Sequence, residues 1–256
     1  MLRDRWRVVR YDTFPLQTAL ALDDAILDSV SFRLAGPTLR FYGIHPSGIS
    51  IGRSQRMDEA VDAEECHSAG IDIVRRRTDG LSHLHDTGKE VDFSMTCPES
   101  MLSPDPAETF QEVGGRVVNA LKLVGIEASL LGTDQVAVDG KAICHLYQVR
   151  EKGMVQVQGF VLHEINRSLT GRLLGRSVEG TTGAASPGEG ITSIRDVKKL
   201  PWDYTLAALV NAFIMNRQWY PGDLTNDELT RAELISSHIY SDAGWNADGK
   251  VTRQEG

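Results

Sequence analysis

Short segments with helical and strand periodicity alternate from the start of the chain to about Ile165, with short loops between them. This mixed order predicts an α/β or α+β domain. Residues 16–30 carry apolar side chains at helical spacing, and Asp12, Thr13 and Pro15 before them favour a helix start. We expect this helix to lie against a sheet.

Three segments, residues 38–42, 48–51 and 71–75, predict the first strands of that sheet. Residues 110–124 have apolar side chains at intervals of three or four, which predicts a second helix ended by Gly125. The sequence therefore favours a mixed sheet with helices packed against it.

A hairpin is predicted next, because Asp139-Gly140 is a pair favoured in tight turns and residues 154–162 alternate apolar and polar side chains. Antiparallel strands follow from this pattern. Residues 175–190 are rich in Gly, Ser, Thr and Ala, which predicts a mobile loop.

Helices are predicted near residues 204–215 and 226–239, and the second begins with the capping box Thr225-x-x-Glu228. We expect residues 1–256 to form a single domain with a helical C-terminal part at about residues 200–246.

Composition sets limits on the class of protein. The 256 residues are 41% hydrophobic and 24% charged, which is typical of an ordered globular domain and excludes intrinsic disorder. No apolar run approaches the ~18 residues that a membrane span requires, and the N-terminus lacks a signal-peptide core. We therefore expect a cytoplasmic protein that does not bind membranes. The net charge of −8 argues against a general nucleic-acid binder.

Three consecutive arginines, Arg75 to Arg77, end a predicted strand and lead into Thr78-Asp79-Gly80. They indicate either anion recognition or solvated charge on an edge strand. Because neighbouring side chains of a strand point to opposite faces, at most two of the three can share one site.

Two histidines in His83-Leu-His85-Asp86 point to the same side if the segment is extended. They are compatible with metal ligation if Asp79 or His145 supplies a further ligand, although hydrogen-bonded or exposed histidines explain such a pair more often. We predict no metal site and keep the cluster of Asp79, His83, His85 and His145 as a third alternative.

The three cysteines are odd in number and lack zinc-like spacing, so they predict neither a disulfide framework nor a structural zinc site. Cys97 and Cys144 could each accept an acyl group, but neither has a neighbouring base in the sequence. Buried structural thiols are the favoured interpretation.

Taken together, the chain resembles the lipoate-protein ligase and octanoyltransferase family. The resemblance extends from about residue 19 to residue 246. It depends on the order and spacing of four motifs: Ile51-Gly-Arg-Ser-Gln55, Arg75-Arg-Arg-Thr-Asp-Gly-Leu-Ser-His-Leu-His-Asp86, Thr133-Asp134 and Asp139-Gly-Lys141.

The resemblance implies a mixed, largely antiparallel sheet flanked by helices, the class II synthetase-like fold of biotin and lipoate ligases. It implies ATP and Mg²⁺ as cofactors, and lipoate or octanoate as the acid that is activated as an acyl-adenylate. The acceptor would be a lysine of a lipoyl carrier, either a lipoyl domain or a glycine-cleavage H-like protein. Many ligases of the family continue into a smaller C-terminal accessory domain, which we expect to be absent here. We therefore also expect a separate accessory subunit.

Carrying the family's site onto this sequence gives two groups of candidates. The catalytic candidates are Lys141 and Cys144. The candidates for substrate binding are Arg53, Arg76, Thr78, Gly80, His83, His85, Asp134, His145 and Gly159.

Two departures from the family's pattern fall in this site. The family's three glycines read Asp79, Gly80 and Leu81 here, so side chains stand where ligand is expected, and Asp79 brings negative charge. The family's lysine is matched by Lys141 if the count starts at the Asp-Gly turn. Counting back from Gly159 without gaps places Ala142 at the position of the family's lysine instead, and we favour this count. Because neighbouring residues of a strand face opposite sides, Lys141 would then point away from the site.

Three functions remain open at this stage. The first is acyl transfer through an adenylate, with the loop at residues 175–190 as a cover. The second is a noncatalytic lipoyl-binding homologue or subunit that has lost the lysine-dependent step. The third, lower-ranked alternative is a cysteine-dependent octanoyltransferase or the metal-binding variant. The cysteine route ranks lower because the insertion that carries the family's cysteine is missing between Glu127 and Gln135.

Overall fold

The computed structural model describes residues 5–174 and 190–251 of the chain. A large sheet of eight strands has the order β11-β1-β2-β6-β10-β9-β8-β7, and a small sheet of three strands has the order β4-β3-β5. The strands are β1 (Trp6–Phe14), β2 (Thr38–Ile44), β3 (Gly48–Ile51), β4 (Asp72–Arg75), β5 (His83–His85), β6 (Glu90–Pro98), β7 (Ser129–Leu131), β8 (Gln135–Val138), β9 (Lys141–Glu151), β10 (Met154–Leu162) and β11 (Trp219–Gly222).

Helices separate these strands along the chain. They are α1 (Leu16–Ser31), α2 (Met57–Ala60), α3 (Ala63–Ser68), α4 (Pro106–Leu123), α5 (Arg167–Leu173), α6 (Ile194–Val197), α7 (Trp202–Ile214), α8 (Asn226–Ile235) and α9 (Ala243–Asp248). A 3-10 turn at Glu99–Met101 and a π turn at Ser236–Tyr240 complete them. Within the described ranges, no helix is both long enough and apolar enough to cross a membrane.

The pairing of the strands confirms the predicted fold class. Strand β1 runs parallel to β2 and β11, whereas every other neighbouring pair of the large sheet is antiparallel. In the small sheet β3 is parallel to β4 and antiparallel to β5. The architecture is therefore a mixed, largely antiparallel sheet.

Helices cover both faces of the large sheet because its strands alternate between two apolar clusters. On β2, Phe41 packs in the cluster that includes Val117 of α4 and Phe213 of α7, whereas the next residue, Tyr42, packs with Leu20 of α1. The helices predicted from periodicity at residues 16–30 and 110–124 are thereby confirmed as the layers that bury the sheet.

The capping box predicted at Thr225 and Glu228 is also confirmed, with both reciprocal hydrogen bonds present. The predicted second C-terminal helix ends at Ile235 and continues as the π turn. The loop predicted at residues 175–190 lies outside the described residues except for Gly190.

Helix α1 is unusual in burying acidic residues against the sheet. The fully buried Asp23 accepts hydrogen bonds from Arg40 at 2.7 Å, Ser94 at 2.7 Å and Gln158 at 2.8 Å. Tyr42 donates a fourth at 3.1 Å. Because donors from β2, β6 and β10 meet at this carboxylate, Asp23 fixes α1 over the middle of the large sheet.

Asp24, the next residue, lies between Tyr240 and Arg77. The Tyr240 hydroxyl donates to its carboxylate at 2.8 Å, and Arg77 lies 3.6 Å away. Burial raises the pKa of Asp24 to about 7, although Arg77 and Tyr240 act in the opposite direction. This carboxyl group therefore exchanges its proton near neutral pH in the folded protein.

Replacing Asp24 by Asn tests this shift. The carboxyl pKa is raised from 3.8 to about 7 on folding, so between these values the folded state binds the proton more tightly than the unfolded state. The wild-type free energy of unfolding, relative to Asp24→Asn, should fall by on the order of a few kcal/mol as the pH rises from about 4 to about 7. Urea unfolding of both proteins across this range measures it, and a constant difference would contradict the assignment.

Candidate active site

The end of strand β4 and the hairpin of β9 and β10 lie against each other. The Arg76 guanidinium lies over the Tyr147 ring at 3.9 Å, and the Thr78 hydroxyl donates to Gln158 at 3.1 Å. Further along, the His83 ring stacks on Phe160 with the ring centres 3.4 Å apart. The two segments that the sequence placed around one site are therefore in direct contact.

A small pocket of about 30 Å³ opens where these segments meet. Its lining includes both charged and apolar side chains. Its lining consists of Ser82, His83, Leu84, Asp86, Lys89, Glu90, His145, Phe160, Leu162, Glu164, Ile165, Asn166, Thr170, Leu174 and Ile191. Leu174 and Ile191 flank residues 175–189 in the sequence, so the chain enters and leaves that range beside the pocket.

The three arginines have three different environments. Arg75 and Arg76 are only 1% and 2% exposed, so solvated edge-strand charge is the wrong interpretation for both. Arg77 forms an ion pair with Glu151 at 2.6 Å. The prediction that the three do not share one site is confirmed.

Arg75 binds backbone rather than an anion. Its guanidinium donates to carbonyl oxygens of the loop after β3 and of helix α9, including those of Gln55 at 2.6 Å and Ala247 at 2.6 Å. Arg75 therefore ties α9 to the small sheet.

Arg76 shapes the loop that follows β4. It donates to the carbonyl oxygens of Asp79 at 3.1 Å and Leu81 at 2.8 Å and packs under Tyr147. The Asp79 carboxylate accepts from the Ser54 hydroxyl at 2.7 Å, which ties it to the loop after β3. This contact accommodates the side chain that replaces a glycine of the family's pattern.

A buried cluster of two histidines and two carboxylates adjoins the pocket. His83 Nε2 lies 2.7 Å from Glu90, and His85 Nδ1 lies 2.8 Å from Glu90 and 2.9 Å from Asp92. The second nitrogen of His85 lies 3.0 Å from the Ser50 hydroxyl. Alternation along β5 and β6 brings these side chains together.

Electrostatics in this cluster favour positive charge on His85. Burial alone would lower its pKa, but Asp92 and Glu90 outweigh burial and raise the His85 pKa to about 9. Burial and the neighbouring Glu90 raise the pKa of Asp92 to about 6. The cluster therefore holds closely coupled acidic and basic groups beside the pocket.

The start of strand β9 contains a bulge that decides which residues face the pocket. Val136 lies opposite Cys144 and Ala137 lies opposite Ala142, so Ile143 is an extra residue on β9. As a result, Ile143 and Cys144 both pack in the main core, whereas Ala142 packs with Phe160 beside the pocket.

Residues 15–214 of the chain match the lipoyl protein ligase A/B catalytic domain. The chain belongs to this family. The octanoyltransferase LipM of Kyrpidia tusciae is 26% identical over 280 residues, which cover 94% of this chain and 98% of that protein. The LipM of Geobacillus kaustophilus is 27% identical over 194 residues, 66% of this chain and 69% of that protein.

Solved structures of lipoate protein ligases have the same fold. A bi-partite lipoate protein ligase from Thermoplasma acidophilum superposes with a TM-score of 0.84 at 24% identity and covers 100% of this chain and 99% of its own. A lipoate protein ligase from T. acidophilum with bound lipoic acid gives a TM-score of 0.82 at 23% identity, covering 95% and 99%. The predicted family and fold are both confirmed.

In this family member, Lys141 does not face the pocket. It lies opposite Val138, a residue of the main core, and its side chain is exposed. Residues directly opposite on neighbouring strands point to the same side, so Lys141 lies on the face away from Phe160. The pocket-side position belongs to Ala142, as the count from Gly159 indicates.

Cys144 lies on the core face of β9 and is fully buried. Burial raises its pKa far above the usual thiol range, so the thiolate needed for acyl transfer is disfavoured. Cys97 is also buried, and burial raises its pKa to about 12. The structural interpretation of both thiols agrees with these environments.

The predicted substrate-binding residues divide by position. His83 and His145 line the pocket, whereas Arg76, Thr78, Gly80 and His85 are not among its lining residues. The other three predicted residues lie elsewhere: Arg53 stacks on Trp245, Asp134 accepts from the Leu146 backbone N–H, and Gly159 abuts Phe93 of the core.

Sequence reasoning missed Lys89, Glu90, Asp92 and Phe160. Lys89 lines the pocket and pairs with Asp86 at 2.8 Å. The alternation Glu90, Asp92, Ser94 on one side of β6 was the available signal, because it places a polar stripe on a central strand.

Replacing Gly80 by Ala tests the contact between the loop after β4 and the hairpin. A Cβ at Gly80 would lie 2.7 Å from the Tyr147 ring, whereas a Cβ at Gly88 meets nothing within 4 Å, and both residues have positive φ. Gly80→Ala should therefore lower the free energy of unfolding by about 1–3 kcal/mol more than Gly88→Ala. Equal losses in urea unfolding would mean that Tyr147 moves aside without cost.

Proposed function

We propose that this protein transfers a lipoyl or octanoyl group to a lysine of a lipoyl carrier protein. Support comes from its family, from LipM relatives named as octanoyltransferases, and from structural neighbours named as lipoate protein ligases. One of those structures pairs a lipoate protein ligase with its E2 lipoyl domain, which supports a lipoyl domain as the carrier.

The proposal depends on the pocket that β5, the start of β6 and the β9–β10 hairpin line together. Its lining combines apolar side chains, among them Phe160, Leu162 and Ile191, with the ammonium group of Lys89. An acid with an apolar chain needs both kinds of surface. Arg76 acts as a positioning residue, because it holds the loop at Asp79 and Leu81 beside this pocket.

An acyl chain enters only if the lining moves. A volume of about 30 Å³ holds one or two water molecules, far less than a medium-chain acid. Rotation of apolar lining side chains such as Leu162 or Leu174 would enlarge the pocket.

Among the described residues that line the pocket, Lys89 is the one lysine, and Asp86, Glu90 and Glu164 supply carboxylates. These carboxylates repel a triphosphate more strongly than a single carboxylate, because the triphosphate carries more negative charge, unless Mg²⁺ lies between them. We assign the acyl carboxylate to Lys89. Activation by ATP, an H-like carrier and a separate accessory subunit are finer parts of the proposal that need their own tests.

A noncatalytic lipoyl-binding role is the second candidate, and one observation favours it. Ala142 lies at the pocket side of β9, where the favoured count places the family's lysine, and it is fully buried. Loss of that cation removes charge stabilisation that acyl activation requires. Acyl transfer requires that Lys89 supply this charge stabilisation in place of the family's lysine, whereas the noncatalytic role does not.

An exchange assay with labelled pyrophosphate, ATP and lipoate distinguishes them. We expect lipoate-dependent exchange that falls at least about tenfold in Lys89→Met, because a cation beside the reacting carboxylate is lost. The matched variant Lys141→Met should retain exchange within about twofold, because an exposed surface charge contributes little. A greater loss in Lys141→Met would restore Lys141 as the catalytic lysine.

Transfer to a lipoyl domain, followed by mass spectrometry, completes the test. Transfer from an octanoyl donor without ATP exchange would replace the ligase route by a transferase route. Lipoate binding without exchange or transfer, also after addition of an accessory chain, would support the noncatalytic role.

A further inference from the structure

Three side chains beside the pocket offer metal-ligand atoms at close range. The nitrogens of His83 and His85 and a carboxylate oxygen of Glu90 all lie within 4.8 Å of one another. They come from two neighbouring segments, with both histidines on β5 and Glu90 at the start of β6. The cluster differs from the set considered from the sequence, since Asp79 bonds Ser54 instead.

We propose that His83, His85 and Glu90 bind a transition-metal ion of the Zn²⁺ class. Two imidazoles and one carboxylate suit Zn²⁺, Co²⁺ or Ni²⁺, whereas Mg²⁺ and Ca²⁺ prefer oxygen ligands. The ion differs in class from the Mg²⁺ that an ATP-dependent reaction would use, and its binding does not depend on the proposed acyl transfer.

Charge balance favours a cation at this place. Glu90 and Asp92 are 4% and 2% exposed, and one oxygen of Asp92 is buried without a hydrogen-bond partner among the described residues. Buried carboxylates are costly unless they are neutralised. A divalent ion bound at Glu90 would take the place of the positive charge on His85 and neutralise both carboxylates while the histidines remain uncharged.

The pocket supplies the open coordination position. Two histidines and one glutamate make the three-ligand set of zinc sites that keep a fourth position for water. His83 and Glu90 both line the cavity of about 30 Å³, which has room for a water molecule or two. The ion would therefore expose one position to whatever occupies the pocket.

Surrounding residues orient the ligands. The Ser50 hydroxyl lies 3.0 Å from His85 Nε2, which leaves Nδ1 directed at Glu90. Such outer hydrogen bonds are a regular feature of metal-bound histidines. Ser50 also accepts from Arg76 at 3.2 Å, so the cluster is linked to the loop that Arg76 holds.

Binding of the ion requires the Glu90 carboxylate to move. The histidine nitrogens lie 2.7 and 2.8 Å from the Glu90 oxygens. Ligands bound to Zn²⁺ at about 2.0–2.1 Å in a tetrahedron lie roughly 3.3 Å apart. The carboxylate must therefore shift outward from both histidines to admit the ion.

Titration of the purified, chelator-treated chain with Zn²⁺ tests the site. We expect one high-affinity equivalent per chain, measured by competition with a chromophoric chelator. His83→Ala and Glu90→Gln should weaken it by roughly 100-fold or more, because each removes a ligand. Glu164→Gln is the matched control, since Glu164 lines the same pocket outside the cluster and should leave affinity unchanged.

Co²⁺ substitution gives a second readout that needs no activity. A visible absorption spectrum of tetrahedral intensity without a thiolate band is expected, because the ligands are nitrogen and oxygen. The proposal is overturned if the wild type shows no saturable 1:1 binding, or if folded His83→Ala, judged by circular dichroism, binds Zn²⁺ as tightly as the wild type. Equal weakening in Glu164→Gln would also overturn it, because it would place the ion elsewhere in the pocket.

Discussion

The buried ion pair between Asp23 and Arg40 is the constraint on which the rest of the fold depends. Its atoms lie 2.7 Å apart with essentially no exposure of either side chain, so breaking it would leave an uncompensated charge in the interior. Gln158 extends the network, since it donates to Asp23 and accepts from Thr78. The position of the loop after the arginines is thus set from the centre of the sheet.

Periodicity predicted those elements that have one polar and one apolar face. Helix α4 illustrates this, because Val113 and Val117 face the core while Glu112 remains exposed. Periodicity did not predict strand β6, although this strand lies in the middle of the large sheet. Its alternating Asp92 and Ser94 resemble a solvated face, yet both are buried: Asp92 contacts His85 of β5, and Ser94 donates to Asp23 of α1, which is 71 residues away in the sequence.

The site was predictable in outline, and its details were not. The order of the motifs correctly predicted that the arginine strand and the hairpin lie together. A resemblance that spans the chain implies which distant segments are neighbours, whereas local periodicity does not. The facing of Lys141 and Cys144 depends on one extra residue, Ile143, and the alternation rule cannot locate such a bulge. Similarly, the contact of Asp79 with Ser54 joins two loops whose approach no local motif encodes.

The hydrogen bonds by which Arg75 ties α9 to the small sheet affect the order of folding during synthesis. The Arg75 guanidinium donates to carbonyl oxygens of two segments that are far apart in the sequence, those of Gly52 and Gln55 and those of Trp245 and Ala247. Until α9 has been synthesised, the carbonyl oxygens of Trp245 and Ala247 are not available, and the Arg75 guanidinium must remain hydrated. The small sheet that holds both histidines therefore reaches its final packing only after the last described helix has emerged.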